Sequence, residues 1–382
     1  MRAAVRWRAV RVWLRAVRIR VRAALRRWYR RLRGRRGPAP VIYRWDLDKT
    51  YLRSDFESLR KIVRVPFERA EDKIDEPGVV ALIQALKRSA RDADGQAFVY
   101  FISASPPQIG RAIRKKLDLD GIDADGIVFK NQLHHLVRGR FRYLREQIGY
   151  KLAELLKARL AAPAGATEYL FGDDWESDPL IYSLYADLVG GRLDREALAE
   201  ILVRLRIDPA RLVEVKALAE RLTHDDCVRR IFINLQRRTP PGRFRFFGAR
   251  LVPAFNYFQT AVVLHLEGRL TLADVAAVGR SLIERSAYTR DQLRNSLDDL
   301  RRRGFIGPRG AVLLGQQLAA AAVLPDAPGR PGRAALLWRR VRSGRRVPGA
   351  EDGHDRAAVI DYPRLVDAWL AGGGRPGGEE VA

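Results

Sequence analysis

Between residues 41 and 190, short apolar runs alternate with longer stretches of helical periodicity, and this alternation limits the fold more than any other feature of the chain. Val41-Ile-Tyr-Arg-Trp45 reads as a strand, 78–90 as a helix, Phe98–Ile102 as a buried strand and Pro107–Leu117 as a helix. Gly126–Phe129 then reads as a strand, Gly149–Leu160 as a helix, Glu168–Phe171 as a strand and Asp178–Val189 as a helix. Strands separated by helices are joined by crossovers rather than hairpins. The expected class is therefore α/β: a Rossmann-like parallel sheet with helices on both faces and ligands bound where the strands end.

The flanks have a different character. Arg8, Arg11, Arg15, Arg18 and Arg22 recur every three or four positions, opposite Val10, Leu14, Val17 and Val21, and neither Gly nor Pro interrupts residues 3–33. Residues 1–36 are thus expected to form a basic amphipathic helix, followed by a breaker-rich linker at 37–40. After Gly190-Gly191 the periodicity stays helical to about residue 306, apart from a Pro- and Arg-rich interruption at Arg237–Phe247. Residues 191–321 are accordingly expected to form a separate, all-helical C-terminal domain, with a winged-helix-like module as one form of it. Within it, Thr289-Arg-Asp-Gln292 fits a helix-opening capping box. Residues 322–382, rich in Gly, Pro and Arg, are expected to be a largely disordered tail with one short helix near Tyr362–Leu370.

Lys and Arg number 71 against 45 Asp and Glu, a formal net charge of +26 that calls for an anionic partner: a lipid surface, a nucleic acid or a phosphorylated substrate. Cys227 is the sole cysteine, so no intrachain disulfide can form and no Cys/His cluster offers zinc ligation. No run of about 18 uncharged apolar residues is present, so no transmembrane helix is expected, and the N-terminus lacks the apolar core of a secretory signal.

Three acidic or hydroxylic groups emerge from the ends of apolar strands. Asp46-Leu-Asp-Lys-Thr50 places two carboxylates two residues apart, so that one can attack an electrophile while the other donates and later accepts a proton. A capped turn would use the same residues. Ser103-Ala-Ser-Pro106 offers a hydroxyl to a phosphoryl oxygen, although Ser103 or Ser105 would serve equally to cap the helix that follows. Gly172-Asp-Asp-Trp-Glu-Ser-Asp178 gathers Asp173, Asp174 and Asp178, which repel one another unless a cation sits among them; oxygen ligands are what Mg2+ prefers. Lys151, in the preceding helix, can hold a phosphate beside these acids. His134-His135 and His224-Asp-Asp226 lack partners at ligand spacing and read as ordinary polar positions.

The order of these four motifs resembles that of the haloacid-dehalogenase (HAD) superfamily over roughly residues 40–190. A closer similarity is to the actin-patch phosphatidate phosphatase-like catalytic domain. Tyr100-Phe-Ile-Ser-Ala-Ser-Pro106 and Phe171-Gly-Asp-Asp-Trp-Glu-Ser-Asp-Pro-Leu-Ile-Tyr182 look like two of its conserved stretches, and Lys49 stands where that family has Asp. The resemblance implies a HAD-like sheet without a large cap and a Mg2+-dependent phosphomonoester hydrolase. Asp46 would be the nucleophile that becomes an aspartyl-phosphate, and Asp48 the acid and base. Thr50, Ser103 and Lys151 would hold the phosphoryl oxygens. Mg2+ would bind Asp46, the main-chain carbonyl of Asp48 and Asp173, with Asp174 or Asp178 completing or orienting the shell. The intervals between motifs leave room for little beyond a basic segment near Arg60–Lys73, which suits a large or surface-bound phosphoester.

The expectation is a cytoplasmic phosphatase with phosphatidate or another anionic lipid as one candidate substrate; residues 1–36 would serve as a peripheral contact at the inner membrane face, a nucleic-acid-binding or organelle-type targeting segment, or a stretch added by a start codon assigned too far upstream. The competing expectation is a non-catalytic HAD-fold binding or regulatory protein. It would engage nucleic acid through its basic flanks or through Arg290, Arg294 and Arg301–Arg303 of a winged-helix-like module.

Overall fold

A computed structural model of the chain describes residues 38–48, 50–51, 75–103, 109–129, 140–175, 177–326 and 360–371. The helix expected over 1–36, the segment Arg60–Lys73 where a small cover was anticipated, Ser105, His134-His135 and most of the tail lie outside these residues. Residues 40–382 make one compact unit, and the architecture below is that of this unit.

Six strands form a single parallel sheet: β1 (Val41–Asp46), β2 (Ala97–Ser103), β3 (Gly126–Phe129), β4 (Thr167–Asp173), β5 (Val228–Asn234) and β6 (Leu251–Ala254). Their spatial order is β3-β2-β1-β4-β5-β6. Helices α1 (Val79–Asp92) and α2 (Gly110–Leu119) connect the first three strands, and α3 (Arg140–Leu160) returns the chain across to β4. Then come α4 (Asp178–Val189), α5 (Arg195–Arg204) and α6 (Pro209–Glu220) before β5, and a 3-10 turn at Pro241–Phe247 before β6. The chain continues through α7 (Tyr257–Leu266), α8 (Leu272–Ser286), α9 (Arg290–Arg302) and α10 (Pro308–Ala320), and the last described helix is α11 (Tyr362–Ala371). Among the described residues no helix is long and apolar enough to cross a membrane.

The two-residue period of the strands builds two cores. Tyr43, Trp45, Val99, Phe101, Tyr169, Phe171, Phe232 and Val252 face one, together with α1 and α7 to α10. Ile102, Leu170, Ile231, Ile233 and Leu251 face the other, with α3 to α6 and α11. Successive side chains point to opposite faces, so a parallel sheet covered on both sides needs apolar residues at nearly every strand position. All six residues of β1 are buried. Arg44 is admitted because Glu168, on neighbouring β4, accepts from its Nε at 2.8 Å and its Nη2 at 2.9 Å.

The structure corrects the reading of 191–321 as a separate helical domain. That segment supplies β5 and β6, which extend the same sheet in register Leu170↔Ile231 and Ile233↔Pro253, and α7 and α8 pack on the core shared with β1. Arg229 and Arg230 break the apolar run that would have marked β5; Arg230 is accommodated by Glu267 and by the Ala249 carbonyl at 2.7 Å. Pro253 disguises β6, yet a proline is tolerated there because β6 is the edge strand. The helical remainder is as expected at one point in detail: Thr289 and Gln292 form the reciprocal capping box that opens α9. Arg294 and Arg303 donate to the carbonyls of Pro325 at 3.0 Å and Pro253 at 2.6 Å.

Helix α3 begins nine residues before its anticipated start at Gly149. That glycine is no break: a Cβ there would lie 2.6 Å from Arg211 Cγ and 2.9 Å from Ile207 Cγ2, so it lets α3 and α6 approach closely.

Candidate active site

All strands run the same way, but the order in which the chain adds them reverses between β1 and β4, the two central strands: β2 and β3 lie to one side of β1, and β5 and β6 beyond β4. Crevices of this kind, outside the carboxyl ends of the strands, are where open α/β sheets bind ligands. Trp45 and Phe171 are in register, so Asp46 comes one residue after that pair and Asp173 two, at the adjacent ends of neighbouring strands. A third carboxylate comes from the first turn of α4, where Asp178 also faces the favourable end of the helix dipole. Gly172 makes that approach possible, since a Cβ on it would sit 2.6 Å from Asp178 Cβ.

Carboxylate oxygens of Asp46, Asp173 and Asp178 lie within 4.8 Å of one another, and all three side chains are fully buried. Lys151 enters from α3, itself 1% exposed, with Nζ 2.7 Å from Asp46 Oδ1 and 2.6 Å from Asp178 Oδ1. Three buried carboxylates that each offer an oxygen to one point, two of them also bonded to Lys151, form a set that a divalent cation preferring oxygen ligands could occupy. The donor set therefore fits a metal ion of that class.

Thr50 Oγ1 lies 3.5 Å from Asp46 Oδ2 and 3.4 Å from Asp173 Oδ2, which places it at the same centre. Its carbonyl accepts a 2.6 Å hydrogen bond from the hydroxyl of Tyr257, at the start of α7. Burial, reinforced by the negative charge of Glu76, Asp173 and Asp46, holds the Tyr257 phenol well above its ordinary pKa, so it remains a neutral donor. Asp48, just beyond β1, accepts from Ser103 Oγ at 2.7 Å at the end of β2. The structure thus brings Asp46, Thr50, Lys151, Asp173 and Asp178 together and couples Asp48 to Ser103.

Of the two residues expected to complete or orient the shell, Asp178 joins the carboxylate cluster and Asp174 does not. Although it is buried, its side chain is not in the carboxylate cluster: Oδ1 accepts from the backbone N–H of Arg237 at 3.0 Å and Oδ2 from that of Thr239 at 3.2 Å. The loop after β5 is thereby tied to the end of β4. His224 and its neighbours are ordinary polar positions, as expected: the His224 ring bonds the Leu188 carbonyl, Asp225 pairs with Arg159 and Asp226 with Arg192.

Sequence reasoning missed Tyr257, Arg237 and Trp175. The first two come from the half of the chain assigned to another domain, and the signal for Arg237 was the basic, aromatic run that appeared to be only an interruption. A cavity of about 480 Å3 lies between α5 and the start of α11, and none of the carboxylate-centre residues lines it. Comparison with known proteins adds no relative: no family model, curated protein or solved structure matches the chain.

Proposed function

We propose that the protein is a Mg2+-dependent phosphomonoester hydrolase of the haloacid-dehalogenase type, working through an aspartyl-phosphate on Asp46. The observation that carries this reading is the buried Lys151 held between Asp46 and Asp178, with Asp173 beside them, at the carboxyl ends of the two central strands. A carboxylate fixed by an ammonium at a strand end is a nucleophile with its geometry settled before substrate arrives, and the same ammonium offsets charge on a phosphoryl group.

In this reading an oxygen of Asp46 attacks phosphorus while the bond from phosphorus to the leaving oxygen breaks, and Asp48 gives that oxygen its proton. Asp48 then takes a proton from water, whose oxygen displaces Asp46 from phosphorus and releases phosphate. Ser103 holds Asp48 in place through its 2.7 Å hydrogen bond and, with Thr50 and Lys151, provides contacts for the phosphoryl oxygens. Asp46, Asp173 and Asp178 would hold Mg2+, which when bound neutralises charge developing on the phosphoryl oxygens. The strand order is also that of dinucleotide-binding sheets, but Asp46-Leu-Asp-Lys-Thr50 carries no glycine to bring a backbone close to a pyrophosphate.

The test is phosphate release from an aryl phosphate with Mg2+ present. Asp46→Asn should reduce the rate by roughly a thousandfold or more, and chelation should abolish it until Mg2+ is returned. A folded wild-type protein that releases no phosphate from aryl, sugar, nucleotide or lipid phosphoesters would remove the proposal.

A further inference from the structure

The loop that Asp174 anchors has a composition unlike the rest of the sheet's rim. Gln236–Phe247 contains Arg237, Arg238, Arg243 and Arg245 and no acidic residue, and the side chains of Arg238, Arg243 and Arg245 are exposed. An exposed arginine run is by itself a solvated surface. This one is constructed at some cost. Asp174, 1% exposed, spends both carboxylate oxygens on the backbone N–H groups either side of Arg238. Arg238 is held there with φ 55°, a left-handed conformation that a side chain other than glycine adopts only under constraint. The guanidinium of Arg237 lies over the ring of Trp175, 4.5 Å from its centroid, and the backbone N–H of Trp175 donates to Asp173 Oδ1 at 2.6 Å. A continuous set of contacts therefore runs from the metal-type carboxylate Asp173 through Trp175 to Arg237, with Asp174 fixing the backbone behind it. The positive rim stands beside the centre because two consecutive residues at the end of β4 serve the two places.

We propose that Arg237 and Arg238 bind a second anionic group of the substrate, so that the site takes phosphoesters bearing a further phosphate or carboxylate in preference to simple monoesters. The inference rests on the phosphohydrolase reading for its substrate class. Charge complementarity supplies the rest: the carboxylate centre receives the phosphoryl group to be removed, and guanidinium groups, planar forks with several donors, suit an oxyanion on the remainder of the molecule. Asp174 is then a positioning residue, acting on substrate only through the loop.

Binding can be separated from chemistry by using phosphonates, which are not hydrolysed. Calorimetry with a short alkane bisphosphonate and with the monophosphonate of the same chain length should show the bisphosphonate binding the Mg2+-loaded wild-type protein roughly tenfold more tightly, the effect of one well-made charge-assisted hydrogen bond at a half-exposed site. In the Arg237→Gln/Arg238→Gln variant, which keeps the backbone N–H groups that Asp174 holds, the ratio should fall to near one. Taking the ratio within each protein cancels any general loss of folded material. Equal affinities in the wild type, or a preference that survives in the double variant, would overturn the proposal. So would a double variant that loses only its attachment to phosphatidylglycerol vesicles, since the rim would then serve a lipid surface. A bisphosphonate preference in a protein that releases phosphate from nothing would support the anion-binding rim while rejecting the chemistry proposed for the centre.

Discussion

Lys151 reaches Asp46 and Asp178 from the middle of α3 and is as deeply buried as the carboxylates it serves. Lys151→Met keeps much of the side-chain volume but removes the charge, leaving carboxylates facing one another out of water. Breaking a buried pair from one side costs about 3–5 kcal/mol, because the partner's charge stays buried. Urea unfolding without Mg2+ should therefore show the variant less stable by that amount, and added Mg2+ should restore more stability to it than to the wild type, since the cation replaces the missing charge. A variant as stable as the wild type, and indifferent to Mg2+, would mean that these carboxylates are not ionised together. At this scale the sequence was informative where a residue follows an apolar run. Asp46, Asp173 and Ser103 end strands, and Asp178 opens a helix, so their placement followed from the pattern. The choice between Asp174 and Asp178 was not legible, because it depends on the backbone of Arg237 and Thr239, more than sixty residues further along the chain.

Between elements, β1 and β4 are joined by more than their backbone ladder. Glu168 on β4 accepts from both nitrogens of the Arg44 fork, from the Tyr185 hydroxyl of α4 at 2.8 Å and from Arg159 of α3 at 3.5 Å. Burial opposes the ionisation of Glu168, but the attraction and hydrogen bonds of Arg44, with help from Tyr185 and Arg159, outweigh it and lower its pKa below the ordinary 4.5. A carboxylate whose folded-state pKa is depressed gives stability that is complete above its unfolded pKa and lost as the pH falls through the folded one. Stability should thus decline as the pH drops below about 4.5, Asp274 adding in the same direction through Thr271 and Arg88 against its own burial. Glu168→Gln should lower stability at neutral pH by about 3–5 kcal/mol, since Arg44 is left charged and buried, and should flatten the acid slope. Urea midpoints followed from neutral into acid pH read both effects, and a slope unchanged by the substitution would assign the acid sensitivity elsewhere. Arg44 is the one charged residue in the run Val41–Trp45, and its partner is hidden in the sequence because Glu168 lies 124 residues away.

For the whole molecule, the continuity of the sheet decides how the chain should unfold. β5 and β6 come from the segment read as a second domain, yet β5 bonds to β4 and β6 to β5, and Tyr257 from that segment holds the carbonyl of Thr50 at the site. The arginines of β5 and the proline of β6 concealed these strands, so the first four strands of the sheet were readable and the last two were not. Even α11, after a long intervening stretch, packs on the same body: Tyr362 donates to Asp187 Oδ2 at 2.7 Å, Arg204 forms a two-pronged pair with Asp367, and Val366 and Trp369 are buried. A sheet shared by both halves cannot lose one half without exposing the apolar face of the other, so unfolding of residues 40–382 should be a single cooperative transition, with circular dichroism and tryptophan fluorescence giving coincident curves. Trp369→Ala removes a large side chain that is 3% exposed, a change that costs about 3–5 kcal/mol at well-packed positions. If the body is one cooperative unit, that loss moves the entire transition to lower denaturant and leaves its shape intact. An early step confined to part of the signal, with the remainder unfolding where the wild type does, would mean that α11 and the helices beneath it melt independently of the strands that carry Asp46 and Asp173.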